Sequence, residues 1–221
     1  MKAFIFDMDG TLVDNMGYHE LAWQSLLSDM GKEMSIEELR HVAYGKNEEV
    51  LERVFLKKHT DEELEKLFKI KEVKYRTLYT PHLKLIAGLL PFLTKAKAMG
   101  IPMAIGTGAG IRNLNFVLDG TEIRHFFEGI VVADDVRYGK PHPETFLKAA
   151  QLLGVSPANC IVFEDVQSGL EAAHRAGMQS VALTTTYSKA FLSGFPSVIE
   201  VVSDYESISP NEILEKSQRN S

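Results

Sequence analysis

The sequence contains little cysteine, no long apolar run and no excess of positive charge. Its single cysteine, Cys160, cannot form a disulfide within the chain, and a zinc site made of several cysteines is excluded. No apolar stretch approaches the roughly 18 residues of a membrane helix, and the apolar run that ends at Asp7 is too short for a signal peptide. Since no membrane span is expected, we expect no membrane as a partner. The 24 basic and 30 acidic residues give a net charge of −6, so we do not expect nucleic acid as a partner either. These absences favour a cytoplasmic protein.

Short apolar runs recur along the chain, which has the 45% hydrophobic and 24% charged residues of an ordinary globular protein. Runs without polar alternation are typical of strands that are buried on both faces of a parallel sheet. Such runs occur at Lys2–Asp7, Met103–Gly106, Gly129–Ala133, Cys160–Phe163 and Ser180–Leu183, and a further strand is expected at Val198–Val202.

Helical patterns separate these runs. They lie at Leu89–Met99, Ile111–Leu118, Pro143–Leu153 and Gly169–Ala176, and a helix start signal follows at Ser209-Pro210-Asn211-Glu212. Strands that alternate with helices are typical of βαβ units. The pattern therefore predicts an α/β fold, with a doubly wound parallel sheet and helices on both of its faces.

One region, residues 15–83, breaks this alternation and contains no convincing strand. Two capping boxes, Ser35-Ile-Glu-Glu38 and Thr60-Asp-Glu-Glu63, predict helix starts there. Residues 32–76 hold 11 basic and 11 acidic side chains, a balance typical of exposed helices with mixed ion pairs. We therefore predict an all-α domain at residues 15–83 that is inserted into an α/β domain of residues 1–14 and 84–221.

The first predicted strand ends in Asp7-Met8-Asp9-Gly10-Thr11. In open α/β sheets ligands bind outside the carboxyl ends of the strands, which is where these carboxylates are expected. Two aspartates at this spacing can supply a nucleophile and a proton donor, and their mutual repulsion favours a divalent cation between them. A turn in which Asp and Gly cap the strand would have the same pattern, so the spacing alone leaves both interpretations open.

The run from Asp7 to Asp14 resembles motif I of the haloacid dehalogenase superfamily of aspartate-nucleophile phosphotransferases. Three later motifs follow in order: Thr107 resembles motif II, Lys140 in Gly139-Lys140-Pro141 resembles motif III, and Glu164-Asp165 resembles motif IV. The insertion after motif I is similar to the helical cap of the subfamily that includes β-phosphoglucomutase and phosphoglycolate-type phosphatases. The resemblance covers the whole chain and implies a Rossmann-like core with an all-α cap.

The resemblance also implies the roles of the carboxylates. Asp7 would attack phosphorus and become an aspartyl phosphate, while Asp9 would protonate the leaving alcohol and then deprotonate water. Magnesium would be held by Asp7, the Asp9 carbonyl, Glu164 and Asp165, since Mg²⁺ prefers a few hard oxygen ligands.

The remaining core motifs would bind the phosphoryl group. The resemblance implies that Thr107 and the amides of Gly108 and Ala109 donate hydrogen bonds to the phosphoryl oxygens, and that Lys140 offsets their charge. Taken alone, Thr107 is compatible with a helix N-cap and Lys140 with a solvated lysine. Their joint occurrence with the aspartates favours the catalytic interpretation.

Four residues of the insertion are candidates for binding a small phosphorylated substrate: His19, Tyr44, Lys46 and Asn47. For His19, a role in the hinge or in helix packing is an equally open interpretation. No oligomeric state follows from the sequence, and a monomer is compatible with it.

The reaction expected is hydrolysis of a phosphate ester, with a β-phosphoglucomutase reaction as the alternative. A mutase of this group carries a lysine and an arginine on the cap, and the corresponding positions here are Tyr44 and Glu48. Glu48 would repel a phosphate, which favours the hydrolase. A scaffold without activity would need a broken motif, and a dehalogenase would not need Asp9.

Overall fold

The computed structural model describes residues 1–42 and 47–219, and for residues 47 and 48 it describes only the backbone. The chain divides into two compact units, Met1–Asp14 with Leu83–Ser221 and Asn15–His82. The described helices, in chain order, are α1 (Met16–Asp29), α2 (Ile36–Val42), α3 (Asn47–Phe55), α4 (Asp61–Tyr79), α5 (Leu89–Ala98), α6 (Ile111–Gly120), α7 (Glu144–Leu152), α8 (Gln167–Arg175), α9 (Lys189–Leu192) and α10 (Pro210–Arg219).

The first unit is built on a six-stranded parallel sheet, so the predicted α/β fold is confirmed. Its strands are β1 (Ala3–Phe6), β2 (Met103–Gly106), β3 (Gly129–Val131), β4 (Cys160–Glu164), β5 (Gln179–Leu183) and β6 (Val198–Val202). Their order across the sheet is β3-β2-β1-β4-β5-β6.

This strand order places a topological switch point beside β1. The chain proceeds from β1 through β2 to β3 on one side, and it then crosses to β4 and continues outward to β6 on the other. β1 pairs with β4 in register, with Phe6 opposite Phe163. Ligands of open α/β sheets bind at such a switch point, outside the carboxyl ends of the strands. The residues that follow β1 and β4 therefore lie where a ligand site is expected.

An aromatic cluster fixes β1 and β4 relative to each other. Phe6 and Phe163 stack with their ring centroids 4.6 Å apart, and Phe4 meets Phe163 edge-on at 5.4 Å. Phe92 of α5 and Tyr205 complete the cluster, and all five side chains are buried. Each large aromatic ring removes much apolar surface from water, so this cluster stabilises the packing of the two central strands.

Among its described residues, the second unit contains helices joined by short loops and no strand. Thr60 forms a capping box with Glu63 at the start of α4, and Ser35 and Glu38 exchange the same pair of hydrogen bonds before α2, as predicted. The helices bury an apolar core of their own, made of Trp23, Leu26, Leu27, Leu39, Val50, Leu51 and Val54. Among the described residues, no helix combines the length and apolar character that crossing a bilayer requires.

Candidate active site

Three buried carboxylates meet at the switch point of the sheet. Asp7 follows β1, Glu164 is the last residue of β4, and Asp165 comes directly after it. Each contributes a carboxylate oxygen to a group whose members all lie within 4.8 Å of one another. The parallel pairing of β1 with β4 brings these strand ends together, so the convergence follows from the topology.

Lys140 supplies the positive charge of this cluster. Its Nζ donates to Asp7 Oδ1 at 2.6 Å and to Glu164 Oε1 at 2.8 Å, and its side chain is only 9% exposed. Burial alone would lower the pKa of Lys140, but the carboxylates of Asp7 and Glu164 hold it above the usual value. The ammonium therefore stays charged, and three carboxylates face one cation.

Burial, together with repulsion between the carboxylates, raises the pKa of both Asp7 and Asp165. Burial raises the pKa of Asp7 to about 7, against the attraction of Lys140 and with the repulsion of Glu164 and Asp9. Burial, followed by repulsion from Glu164 and Asp7, raises the pKa of Asp165 well above its usual range. A divalent cation would relieve this repulsion, and an all-carboxylate donor set suits Mg²⁺. The residues present therefore fit the metal that the resemblance implies.

Glu164 is anchored through both of its oxygens. Oε1 accepts from Lys140, and Oε2 accepts from the backbone amides of Asp165 at 2.7 Å and Val166 at 2.8 Å. A Cβ on Gly169 of α8 would come within 1.7 Å of Oε1, so this glycine leaves the space that the carboxylate fills. Such anchoring suits a residue that orients its neighbours within the cluster.

Asp9 and Gly10 lie in the loop that leaves β1. The loop turns back on itself. The backbones of Asp9 and Val13 form an isolated β-bridge, and the Gly10 amide donates to Val13 O at 2.8 Å. The charge of Asp9 is close enough to raise the pKa of Asp7. Gly10 has φ +71°, and an added Cβ would come within 2.0 Å of Asp165 Oδ2.

We expect Gly10→Ala to damage the site more than the strain of the backbone explains. Gly177→Ala is the matched control, because Gly177 has the same φ of +71° with open space around it. Both variants carry the left-handed strain of about 1–2 kcal/mol, but only Gly10→Ala adds an overpacking penalty of about 1–3 kcal/mol. Chemical denaturation of both variants measures the difference in the free energy of unfolding. Equal losses would contradict the close packing of Gly10 on Asp165.

Thr107 and the two residues after it follow β2. Thr107 is buried, its amide donates to Val131 O at 3.0 Å, and its Oγ1 accepts from the Ala109 amide at 3.0 Å. Gly108 is exposed between them. The structure thus forms a tight turn at the carboxyl end of β2, the strand next to β1.

The candidate substrate residue His19 belongs to the helical unit. Its ring stacks on Tyr75 of α4 with centroids 3.8 Å apart, and its Nδ1 lies 3.1 Å from the Nζ of Lys71. Lys71 is buried and also donates to Glu72 Oε1 at 2.7 Å. His19 is therefore part of a polar network between α1 and α4.

The other candidate substrate residues are not placed by the structure. Tyr44 and Lys46 lie outside the described residues, and for Asn47 and Glu48 the structure describes only the backbone within α3. Their proposed contacts with substrate stay predictions from the sequence.

The sequence prediction missed three hydroxyl groups that contact the site. Thr186 Oγ1 donates to Asp165 Oδ2, and Thr185 Oγ1 donates to Gly10 O at 2.5 Å. Tyr205 OH donates to Thr11 O at 3.2 Å from within the aromatic cluster. A signal for the first two was available, because the hydroxyl-rich run Thr184-Thr185-Thr186 follows the predicted strand Ser180–Leu183.

Comparisons with known proteins identify the family of this chain. The family model of haloacid dehalogenase-like hydrolases matches residues 1–177. Fructose-1-phosphate phosphatase YqaB of Escherichia coli (strain K12) is 32% identical over 181 residues, which cover 81% of this chain and 94% of that protein. Beta-phosphoglucomutase of Bacillus subtilis (strain 168) is 34% identical over 195 residues, which cover 83% of each protein. A crystal structure of a HAD hydrolase, family IA, variant 3, from Entamoeba histolytica HM-1:IMSS superimposes with a TM-score of 0.92 at 27% identity, over 99% of this chain and 100% of that one.

The range that the family model matches spans the positions of all four motifs. Asp7, Thr107, Lys140 and Glu164-Asp165 all lie within residues 1–177. The relatives exceed 30% identity over more than two thirds of the chain. The chain therefore belongs to the haloacid dehalogenase-like hydrolases and is an enzyme of that family.

Proposed function

We propose that this enzyme is a magnesium-dependent phosphatase that hydrolyses a small phosphate ester through an aspartyl phosphate on Asp7. One observation carries the proposal: Asp7, Glu164 and Asp165 form a buried carboxylate cluster at the switch point of the sheet, and Lys140 is the one ammonium that pairs with it among the described residues. The cluster combines a nucleophile, a cation that offsets its charge and a donor set for a divalent metal. A purely structural ion pair with Lys140 would not need the third carboxylate, Asp165, in the cluster.

The reaction would proceed in two steps at Asp7. In the first, a carboxylate oxygen of Asp7 forms a bond to phosphorus while the bond from phosphorus to the ester oxygen breaks, and Asp9 gives its proton to the leaving alkoxide. In the second, Asp9 takes a proton from water, whose oxygen attacks phosphorus and releases Asp7 with inorganic phosphate. Bound magnesium would supply positive charge for the phosphoryl oxygens.

Lys140 and the turn after β2 would stabilise the charge that develops during transfer. Lys140 already contacts Asp7 at 2.6 Å, so it is placed to offset charge on the carboxylate and on the phosphoryl oxygens. Thr107 and the amides of Gly108 and Ala109 would donate to those oxygens. In the present structure the Ala109 amide donates to Thr107 Oγ1, so substrate would have to replace this hydrogen bond.

A sugar phosphate or a similar small ester is the substrate class that we favour. Relatives named fructose-1-phosphate phosphatase and beta-phosphoglucomutase support this class. The helical unit would then act as the cap that selects the substrate, through His19, Tyr44, Lys46 and Asn47. We prefer hydrolysis to the mutase reaction because Glu48 occupies the position at which a phosphate-binding arginine is expected.

A phosphate-release screen with Mg²⁺ tests the proposed function. The panel contains sugar phosphates, nucleotides, phosphoglycolate and pyrophosphate. We expect release from at least one small ester, and a loss of that activity by orders of magnitude when a chelator removes the metal, with recovery on adding Mg²⁺. Full activity in the presence of chelator would refute the metal assignment.

The mutase alternative is tested in a separate assay. The enzyme is given β-glucose 1-phosphate with a trace of the 1,6-bisphosphate, and glucose 6-phosphate is measured with a coupled enzyme. If glucose 6-phosphate forms faster than phosphate is released from the best ester, the enzyme is a mutase.

A further inference from the structure

We propose that Thr186 is a positioning residue that orients the Asp165 carboxylate toward the divalent cation. The inference rests on the proposed magnesium site and adds a residue to it. Thr186 lies beyond residues 1–177, the range that the family model matches. It also lies outside the four motifs that predict the site from the sequence.

The two carboxylate oxygens of Asp165 have different surroundings. Oδ2 accepts the hydrogen bond of Thr186 Oγ1 and lies so close to Gly10 that an added Cβ there would come within 2.0 Å of it. Oδ1 lies 3.5 Å from Thr11 Oγ1, at the limit of a hydrogen bond, and an added Cβ on Gly10 would come within 3.0 Å of it. Oδ2 is therefore the more closely held oxygen, and we assign Oδ1 to the cation shared with Asp7.

The segment that carries Thr186 is hydrogen-bonded to the loop after β1. β5 pairs with β4 in register, with Ala182 opposite Glu164, so the chain after β5 emerges beside Asp165. Thr185 Oγ1 donates to Gly10 O at 2.5 Å, which ties this segment to the loop after β1. The segment that places the Thr186 hydroxyl beside Asp165 is therefore held both by the pairing of β5 with β4 and by the hydrogen bond of Thr185.

Packing does not explain the contact. Thr186 is an exposed residue, whereas Asp165 is completely buried. The methyl group of Thr186 therefore contributes little to the core, and its contact with the buried cluster is the hydrogen bond to a carboxylate. A hydroxyl that donates to one oxygen of a carboxylate restricts its rotation and leaves the other oxygen for a metal. Loss of such partners typically weakens metal binding by about 10–100-fold.

The test measures binding of Mn²⁺, a probe for the Mg²⁺ site, to metal-free protein by isothermal titration calorimetry. Thr186→Val removes the hydroxyl and keeps the shape of the side chain, and we expect its Mn²⁺ affinity to fall by about 10–100-fold. Thr186→Ser restores a hydroxyl and should bind Mn²⁺ nearly as tightly as the wild type. Thr184→Val is the matched control, since Thr184 contacts Val202 O through its backbone amide, at 2.9 Å.

The outcomes distinguish a failure of the role of Thr186 from a failure of the proposed metal site. Unchanged Mn²⁺ affinity in Thr186→Val, with tight binding to the wild type, overturns the role of Thr186 and leaves the metal site standing. An equal loss in Thr184→Val, or no rescue by Thr186→Ser, assigns the effect to loosening of the segment and also overturns it. If the wild type binds no Mn²⁺, or if Asp165→Asn binds as tightly as the wild type, the metal site and the role of Thr186 fail together.

Discussion

Asp7→Asn should reduce phosphate release by about 10⁴-fold or more, the scale of loss seen when a nucleophile that forms a covalent intermediate is removed. The amide has nearly the shape of the carboxylate, but it cannot attack phosphorus to form an acyl phosphate. It also removes one negative charge from a cluster of three carboxylates, two of which contact Lys140, so the fold should be retained. Steady-state kinetics on the best ester of the screen measure the change.

Asp119→Asn is the matched control for this substitution. Asp119 lies near the end of α6. Its side chain is 66% exposed and forms a surface ion pair with Arg124. Exposed pairs contribute about 0–1 kcal/mol, so this variant should keep wild-type kinetics and stability. Asp7→Asn with activity within a factor of a few of the wild type would show that another group forms the bond to phosphorus.

Lys140→Met should lower both turnover and stability. The substitution keeps most of the aliphatic stem but leaves Asp7, Glu164 and Asp165 buried without their ammonium. Removing one partner of a buried ion pair typically costs about 3–5 kcal/mol, and we expect a loss of this order in the free energy of unfolding of the metal-free protein. Loss of a charge-stabilising donor should also lower turnover by about 10²–10³-fold.

Denaturant unfolding of the metal-free and Mg²⁺-loaded protein tests this expectation. Mg²⁺ should restore part of the lost stability, because it supplies positive charge to the same carboxylates. Lys148→Met is the control: Lys148 is 41% exposed and pairs with Glu144 on the surface of α7. If Lys140→Met is as stable and active as Lys148→Met, the Lys140 ammonium does not offset the charge of the carboxylates.

The sheet was predictable from the sequence because its strands are buried on both faces. β2 and β6 have the predicted bounds, and β4 extends one residue further, to Glu164, which pairs with Ala182 of β5. β3 ends at Val131, before the predicted end at Ala133. There the Asp135 carboxylate accepts from the Val132 amide at 2.9 Å and closes a short 3-10 turn. Apolar character alone does not distinguish such a turn from the end of a strand.

The site was predictable where a residue directly follows a strand, as Asp7, Thr107 and Asp165 do. Contacts between residues that are far apart in the sequence were not predictable. The anchoring of Glu164 by Lys140 and by two amides depends on how β4 turns into α8. The hydrogen bond from Thr186 to Asp165 requires the pairing of β5 with β4, which no local pattern specifies.

Trapping of the phosphoenzyme tests the central claim, nucleophilic attack by Asp7, most directly. The enzyme is mixed with its best ester and Mg²⁺, quenched in acid within a turnover and treated with borohydride, which reduces an acyl phosphate to an alcohol. Mass spectrometry of the N-terminal peptide should then find homoserine at position 7, and Asp7→Asn treated in the same way should give none. Homoserine at another position, or phosphate release in single turnover with no reducible phosphoenzyme at Asp7, would contradict the account.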